Sequence, residues 1–215
     1  MYDAARREPP LDAEGFAGLV AVSRETLARL EAYAELLTRW SARINLVGRE
    51  TLADVWRRHF LDSAQLRALV PQGARSLIDL GSGAGFPGLV LAILGVPGVE
   101  LVEGDSRKAA FLREAARVTG TAVTIRACRS AAVPPHAVDV ITARALAPLD
   151  RLLDLAVPFL GPDSCVLLPK GEHVEQELTV ARQRWRMVAS RHQSVADPRG
   201  VVLRLHRVFR GPDHG

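Results

Sequence analysis

The sequence predicts an α/β protein in which a mostly parallel seven-stranded sheet, doubly wound by helices, follows an N-terminal helical extension. Three observations carry that prediction. From Ser76 onward, strand-like apolar runs alternate with helical ones, the order that parallel strands joined by right-handed crossovers require. A short apolar run, Ser76, Leu77, Ile78 and Leu80, ends around Asp79 and enters a loop with four glycines in eight positions, Gly81, Gly83, Gly85 and Gly88. Such a run reads as a strand, a ligand-binding loop and the start of a helix, with Pro87 suited to the first helical turn. Before residue 73 there are no strand-like runs, only apolar residues at helical spacing. The expected division is therefore a tail and helical cap over 1–72 and a ligand-binding domain over 73–215.

Composition narrows the class. At 215 residues the chain suits one large core with an appendage. Its 48% hydrophobic and 24% charged content is that of a globular protein. The longest apolar run, 89–96, is interrupted by Gly95 and followed by Pro97, too short to cross a bilayer. The opening MYDAARREPP has mixed charge and no apolar core, which excludes a secretory signal and reads as a frayed tail, so a cytoplasmic location is expected. Cys128 and Cys165 lie far apart without metal-type spacing, and no metal site is expected. The formal charge is +4, and all but two of the 28 basic residues are arginine, a side chain suited to phosphate forks and base stacking. Nucleic acid is admitted as a partner, although charge alone does not demand it.

Along the chain, Ser23 caps a helix whose apolar positions are Leu27, Leu30, Ala34, Leu37 and Ile44. Asn45, Leu46, Val47 and Gly48 interrupt the pattern. A second helix is expected over 51–69, with Leu52, Val55, Trp56 and Phe60 inward and Pro71 and Gly73 closing it. On it His59, Asp62 and Ser63 fall at i, i+3 and i+4, hence on one face, with Arg58 beside them. After the glycine loop, 89–94 is a buried helix. The second strand is Val99–Val102, ending at Glu103, where a carboxylate can accept both hydroxyls of a cofactor ribose. Asp105 and Ser106 cap a helix with Phe111, Leu112 and Ala115 inward and Gly120 as its stop.

A third strand is expected at 121–127, followed by Ser130 and Ala131 at the sheet edge, where an adenine would lie. The fourth is Val138–Thr142, leaving through Ala143, Arg144 and Ala145. In a doubly wound sheet this strand neighbours the first across the switch point, which points Arg144 into the crevice of the glycine loop. A helix over 150–160 leads to a strand at 164–168 that ends in Pro169, Lys170 and Gly171. The Lys170 ammonium is expected near Arg144, giving two cations beside the ligand. A helix over 175–183 and an edge pair of strands at 185–189 and 201–208 complete the domain, with a loose end after Gly211.

The glycine loop admits two registers. Gly83, Gly85 and Gly88 satisfy G-x-G-x-x-G, a dinucleotide pattern whose pyrophosphate would rest on the helix N-terminus. Asp79, Gly81, Gly83 and Gly85 read D-x-G-x-G-x-G, which resembles the first motif of methyltransferases that use S-adenosylmethionine. Electrostatics favours the second, because a carboxylate at the strand end repels a pyrophosphate and attracts a ligand with sulfonium and ammonium groups.

Across nearly its whole length the chain resembles the RsmG (GidB) family, methyltransferases of a guanine N7 in bacterial 16S rRNA. The residues that carry the resemblance begin with Asn45 and Leu46, then Arg58, His59, Leu61, Asp62 and Ser63, and the run from Ile78 to Gly88. They continue with Glu103, Lys108, Phe111 and Leu112, Ala143 to Ala145, and Lys170 with Gly171. The resemblance implies S-adenosylmethionine as cofactor, S-adenosylhomocysteine as product, and 16S rRNA or a small-subunit precursor as partner. It implies a Rossmann-like methyltransferase fold, acting as a monomer without a membrane. Gly81 and Phe86 would line the cofactor site with Gly83 and Gly85, Ser130 and Ala131 would flank the adenine, and Arg144 would stand by both the methyl group and the target base. Two positions depart from the family pattern: Ala131 replaces a usual glutamate, and Val47 a frequent threonine.

Guanine N7 carries a lone pair and no proton, so transfer to it needs positioning rather than a base. Asp79 and Glu103 are therefore expected to recognise the cofactor. The expected catalytic set is Arg144, Lys170 and His59, with Asn45, Arg58 and Asp62 joining them on the substrate side. Other readings remain open: a methyltransferase of tRNA, protein or a small molecule, an NAD-linked oxidoreductase, and an RNA assembly protein that binds the cofactor without catalysis.

Overall fold

The computed structural model describes residues 9–211. The expected frayed tail and loose C-terminal end lie almost entirely outside these residues. The helical part opens with α1 (Ala13–Leu19) and α2 (Arg24–Ser41). Ser23 caps α2 by accepting from the Thr26 N–H, and Leu30, Tyr33, Ala34 and Leu37 form its buried stripe at 3- and 4-residue steps. Ile44 lies beyond the helix end.

The single helix expected over 51–69 is instead a run of different windings. It comprises α3 (Arg49–Leu52), a π-helical turn Trp56–Leu61, α4 (Asp62–Ala64) and a 3-10 turn Gln65–Leu69. The π turn is marked by the Asp62 N–H donating to the Arg57 carbonyl, and it brings His59, Phe60 and Leu61 inside together. An apolar spacing of three and four does not distinguish one winding from another, so the interruption has no signature in the sequence.

The sheet contains β1 (Leu77–Leu80), β2 (Val99–Val102), β3 (Thr124–Arg126), β4 (Val138–Thr142), β5 (Leu160–Lys170), β6 (Trp185–Gln193) and β7 (Val201–Arg210). Their order is β3-β2-β1-β4-β5-β7-β6, parallel from β3 to β5, with β7 antiparallel to both β5 and β6. The connecting helices are α5 (Gly88–Ile93), α6 (Ser106–Val118), α7 (Leu149–Ala156) and α8 (Val174–Arg184). Asp105 caps α6 as expected, accepting from the Arg107 and Lys108 N–H groups. The helix expected to reach residue 160 stops earlier because Pro158 cannot donate to a helical ladder, and Leu160 already belongs to β5.

Alternation along the strands sorts the core into two layers. Leu77, Leu101, Val140 and Leu167 pack with α2, α5 and α6, while Ile78, Val102, Ile141 and Val166 pack with α7 and α8. The helices before residue 73 share the first layer. Phe16, Tyr33, Phe60, Phe86 and Phe111 are all buried in it, and Tyr33 contacts Phe60, Phe86 and Phe111 with ring centroids 5.3, 5.4 and 6.1 Å away. The helical extension is thus packed directly against the glycine loop.

Candidate active site

Strand β1 lies between β2 and β4, the place where the chain order reverses, and a cavity of about 930 Å³ opens at the carboxyl ends of these strands. Four segments wall it: the loop after β1, the exit of β4, the end of β5, and the helical extension around Arg58, His59 and Asp62. A fifth wall, the β6–β7 loop with Ser194, Ala196 and Asp197, closes the far side.

The loop after β1 is held from below. Asp79 shares a sheet face with Leu77, so its carboxyl turns under α5 and does not line the cavity. It is fully buried, accepting from the Thr142 hydroxyl at 2.8 Å and the Gly88 N–H at 3.2 Å. Burial raises its pKa to about 6, against the opposing effect of those hydrogen bonds. The expected direct attraction between Asp79 and a ligand cation is therefore corrected: this carboxyl braces the loop. Glu103 is similarly engaged, its Oε2 accepting from the Gly83 N–H at 2.8 Å and its Oε1 from the Asp105 N–H at 2.7 Å. Gly85 faces the helices rather than the cavity. With φ +93°, a Cβ there would meet the Tyr33 hydroxyl at 2.5 Å, so only glycine fits.

Tyr33 donates its buried hydroxyl to the Ala84 carbonyl, tying α2 to the loop. Removing that hydroxyl leaves the carbonyl without its partner, at a cost of about 1–3 kcal/mol. Tyr33→Phe is expected to lower the urea midpoint accordingly, with the m-value unchanged. An unaltered midpoint would show that the tie contributes nothing.

Arg144 is the centre of the opposite wall. It leaves β4 just before Ala145, which adopts a left-handed φ of +52° and turns the chain sharply. Its Nη1 donates to Asp62 Oδ2 and to the Arg58 carbonyl, each at 3.1 Å, and its Nη2 to His59 Nδ1 at 2.8 Å. The guanidinium also lies 5.0 Å from the Phe86 ring centroid, while His59 stacks on that ring at 4.9 Å. Burial, then the charges of Arg144 and Arg58, push the His59 pKa down to about 3. Burial pushes the Asp62 carboxyl up, opposed by Arg144. His59 is consequently a neutral acceptor, and its Nδ1 is already occupied.

The other expected residues divide. Arg58 lines the cavity and pairs with Asp197 at 2.9 Å. Lys170 lines it too, but its ammonium is held by Glu177 at 2.7 Å, so it faces the site as half of an ion pair rather than as a second free cation beside Arg144. Gly81, Gly83 and Phe86 line the cavity directly. Asn45 is exposed and stands beside the lining residues Leu46 and Val47 without lining it itself. Ser130 and Ala131 form a 3-10 turn after β3, outside the cavity wall.

Sequence reasoning did not find Tyr33, Thr51, Glu177 or the β6–β7 loop. Tyr33 was visible in principle, three residues after Leu30 on the apolar stripe. The D-P-R-G run from Asp197 to Gly200 signals a turn between strands, but nothing local tells that it reaches the glycine-loop crevice. It does so because Gln65 binds it, accepting from the Val195 N–H at 2.9 Å and donating to Ser194 Oγ at 3.2 Å.

A family model described as rRNA small subunit methyltransferase G matches residues 26–202. A protein named ribosomal RNA small subunit methyltransferase G from Rhodospirillum rubrum is 57% identical over 197 residues, covering 92% of this chain and 98% of that one. Its namesake from Paramagnetospirillum magneticum is 59% identical over 190 residues, covering 88% and 93%. Among solved structures, a putative O-methyltransferase from Klebsiella pneumoniae aligns with TM-score 0.57 at 17% identity, covering 90% of this chain and 94% of that chain. A 16S rRNA methyltransferase from T. thermophilus, in complex with AdoMet and guanosine, aligns with TM-score 0.51 at 19% identity, covering 71% and 40%. These structural likenesses establish the Rossmann-like methyltransferase fold.

Proposed function

Because the chain belongs to the rRNA small subunit methyltransferase G family, we propose that it transfers the methyl group of S-adenosylmethionine to N7 of a guanine in bacterial 16S rRNA, in the cytoplasm. One observation carries the chemical part of this reading: among the described residues, the cavity wall offers no unpaired base. Each carboxylate on its wall is ion-paired, Asp62 with Arg144, Glu177 with Lys170 and Asp197 with Arg58. The acceptor nitrogen of His59 is capped by Arg144. A nucleophile that had to lose a proton would find, among the described residues, only carboxylates already held in ion pairs, whereas guanine N7 has no proton to lose.

The residues present fit the cofactor. The cavity floor is bare peptide at Gly81, where a Cβ would come within 2.6 Å of Leu146 Cδ1, and Phe86 lends the wall an apolar ring. When bound, S-adenosylmethionine supplies an electrophilic methyl group on sulfur. Gly81, Gly83 and Phe86 would line it, and Glu103 retains lone pairs for its ribose hydroxyls beyond those given to Gly83 and Asp105. Ser130 and Ala131, at the end of β3, would flank the adenine. Asp79 acts indirectly by keeping the loop in shape.

On the substrate side, Arg144 presents donors suited to the O6 acceptor of guanine. Asp62, His59 and the Arg58 carbonyl fix its guanidinium before the base arrives, so orientation costs little at the moment of reaction. Arg58 and Lys170 each sit in an ion pair that an RNA phosphate can compete for, while the target base must be unstacked to enter. The test is transfer of tritium from labelled S-adenosylmethionine into small-subunit RNA, followed by nucleoside mapping. The expected product is 7-methylguanosine in 16S rRNA. Label confined to tRNA or protein would overturn the substrate, and absence of transfer together with NAD binding would overturn the reaction.

A further inference from the structure

Thr51 belongs to α3 and lies beside the cavity, eight positions before His59. Its hydroxyl donates to the Gly48 carbonyl at 2.9 Å, so its oxygen is left to accept from His59 Nε2, also at 2.9 Å. At the other side of the ring, Arg144 Nη2 meets His59 Nδ1 at 2.8 Å. A guanidinium has only donors, so Nδ1 must be bare. A neutral imidazole carries one proton, which therefore resides on Nε2 and points at Thr51. The depressed pKa of His59 agrees with a ring that stays neutral.

We propose that Thr51 is a positioning residue: its hydroxyl holds His59 in the Nε2–H tautomer, which offers Nδ1 to Arg144 and so aims the guanidinium along the cavity wall. The chain of bonds begins on a backbone carbonyl that also accepts from the Thr51 N–H at 3.1 Å, which fixes its starting point. With the opposite tautomer, Nδ1–H and Nη2–H would face each other, and Arg144 would have to turn away from His59. Asp62 and the Arg58 carbonyl would then hold the guanidinium by Nη1 alone. The inference rests on Arg144 being the group that orients the target base.

Thr51→Val keeps the shape of the side chain and removes the oxygen, and Thr51→Ser restores it. Long-range proton–nitrogen correlation spectra of the imidazoles report the tautomer directly, with the His59 signals assigned by their loss in His59→Asn. The expected result is a single Nε2–H tautomer in the unaltered protein and in Thr51→Ser, and a mixed or Nδ1–H population in Thr51→Val. In parallel, Thr51→Val should lose about 5- to 10-fold in kcat, the rate equivalent of one lost hydrogen bond, with KM for S-adenosylmethionine nearly unchanged, and Thr51→Ser should recover most of it. An unaltered tautomer in Thr51→Val overturns the proposal even if activity falls. A switched tautomer with full kcat overturns the link to Arg144. Failure of the functional reading looks different: the unaltered protein would transfer no methyl group to RNA, while the imidazole spectra would still decide the Thr51–His59 link.

Discussion

Arg144→Ala is expected to lower methyl transfer by about 100-fold or more while changing S-adenosylmethionine affinity only slightly, the pattern for loss of one preorganised donor in a site that works by orientation. Single-turnover transfer and calorimetric titration of the cofactor measure the two quantities separately. Equal losses in both would make Arg144 a cofactor residue instead. The substitution also strips Asp62 and His59 of their shared partner. The Asp62 side chain is only 19% exposed, so its charge then lacks compensation and the folded state should weaken by about 1–3 kcal/mol. Arg144→Lys separates these effects. A lysine keeps the charge near Asp62 but cannot meet Asp62, His59 and the Arg58 carbonyl with a planar fork, so stability should largely return and activity should not.

Asp79 is expected to make the protein less stable as pH rises from about 4 to about 6, the reverse of the usual behaviour of a paired carboxylate. In the folded chain its pKa is raised from 3.8 to about 6 by burial. The native state therefore holds this proton more tightly than the unfolded chain does. Its stabilising effect is complete below the unfolded value, fades as pH rises through the folded value, and amounts to roughly 3 kcal/mol across the window. Asp79→Asn removes the ionisation while an amide can still accept from the Gly88 N–H and donate to Thr142. Thermal melts at pH 3.5 and pH 8 should show the variant close to the unaltered protein at the lower pH and more stable at the higher. A variant less stable at both would mean that the ionised carboxylate is needed to hold the loop. Cofactor affinity at pH 8 should survive Asp79→Asn and fall with Asp79→Ala, which leaves both donors unpaired.

The order of strands and helices was legible because each element carries its own local signal. Val99–Val102 and Val138–Thr142 match the expected bounds residue for residue, since short runs rich in β-branched residues and bounded by turn residues carry a local strand signal. Ser23, Asp105 and Gly120 mark helix ends for equally local reasons. The segment expected as one helix over 51–69 was misread because winding is set by what the segment packs on: the π turn brings His59 onto the Phe86 ring and Phe60 against Tyr33.

For the site, the sequence by itself determined which side chains gather at the switch point, because a residue just past a parallel strand must emerge at its carboxyl edge. Arg144, Lys170 and the glycine loop meet there for that reason. Only the tertiary structure decided what those side chains do to one another. Asp79 is placed one register step from where a ligand could touch it, because the strand's alternation assigns it to the α5 face. Arg144 finds Asp62 across 82 positions, and Lys170 is neutralised by Glu177 from α8. Burial, ion pairing and tautomer are properties of neighbours in space. No local pattern encodes them.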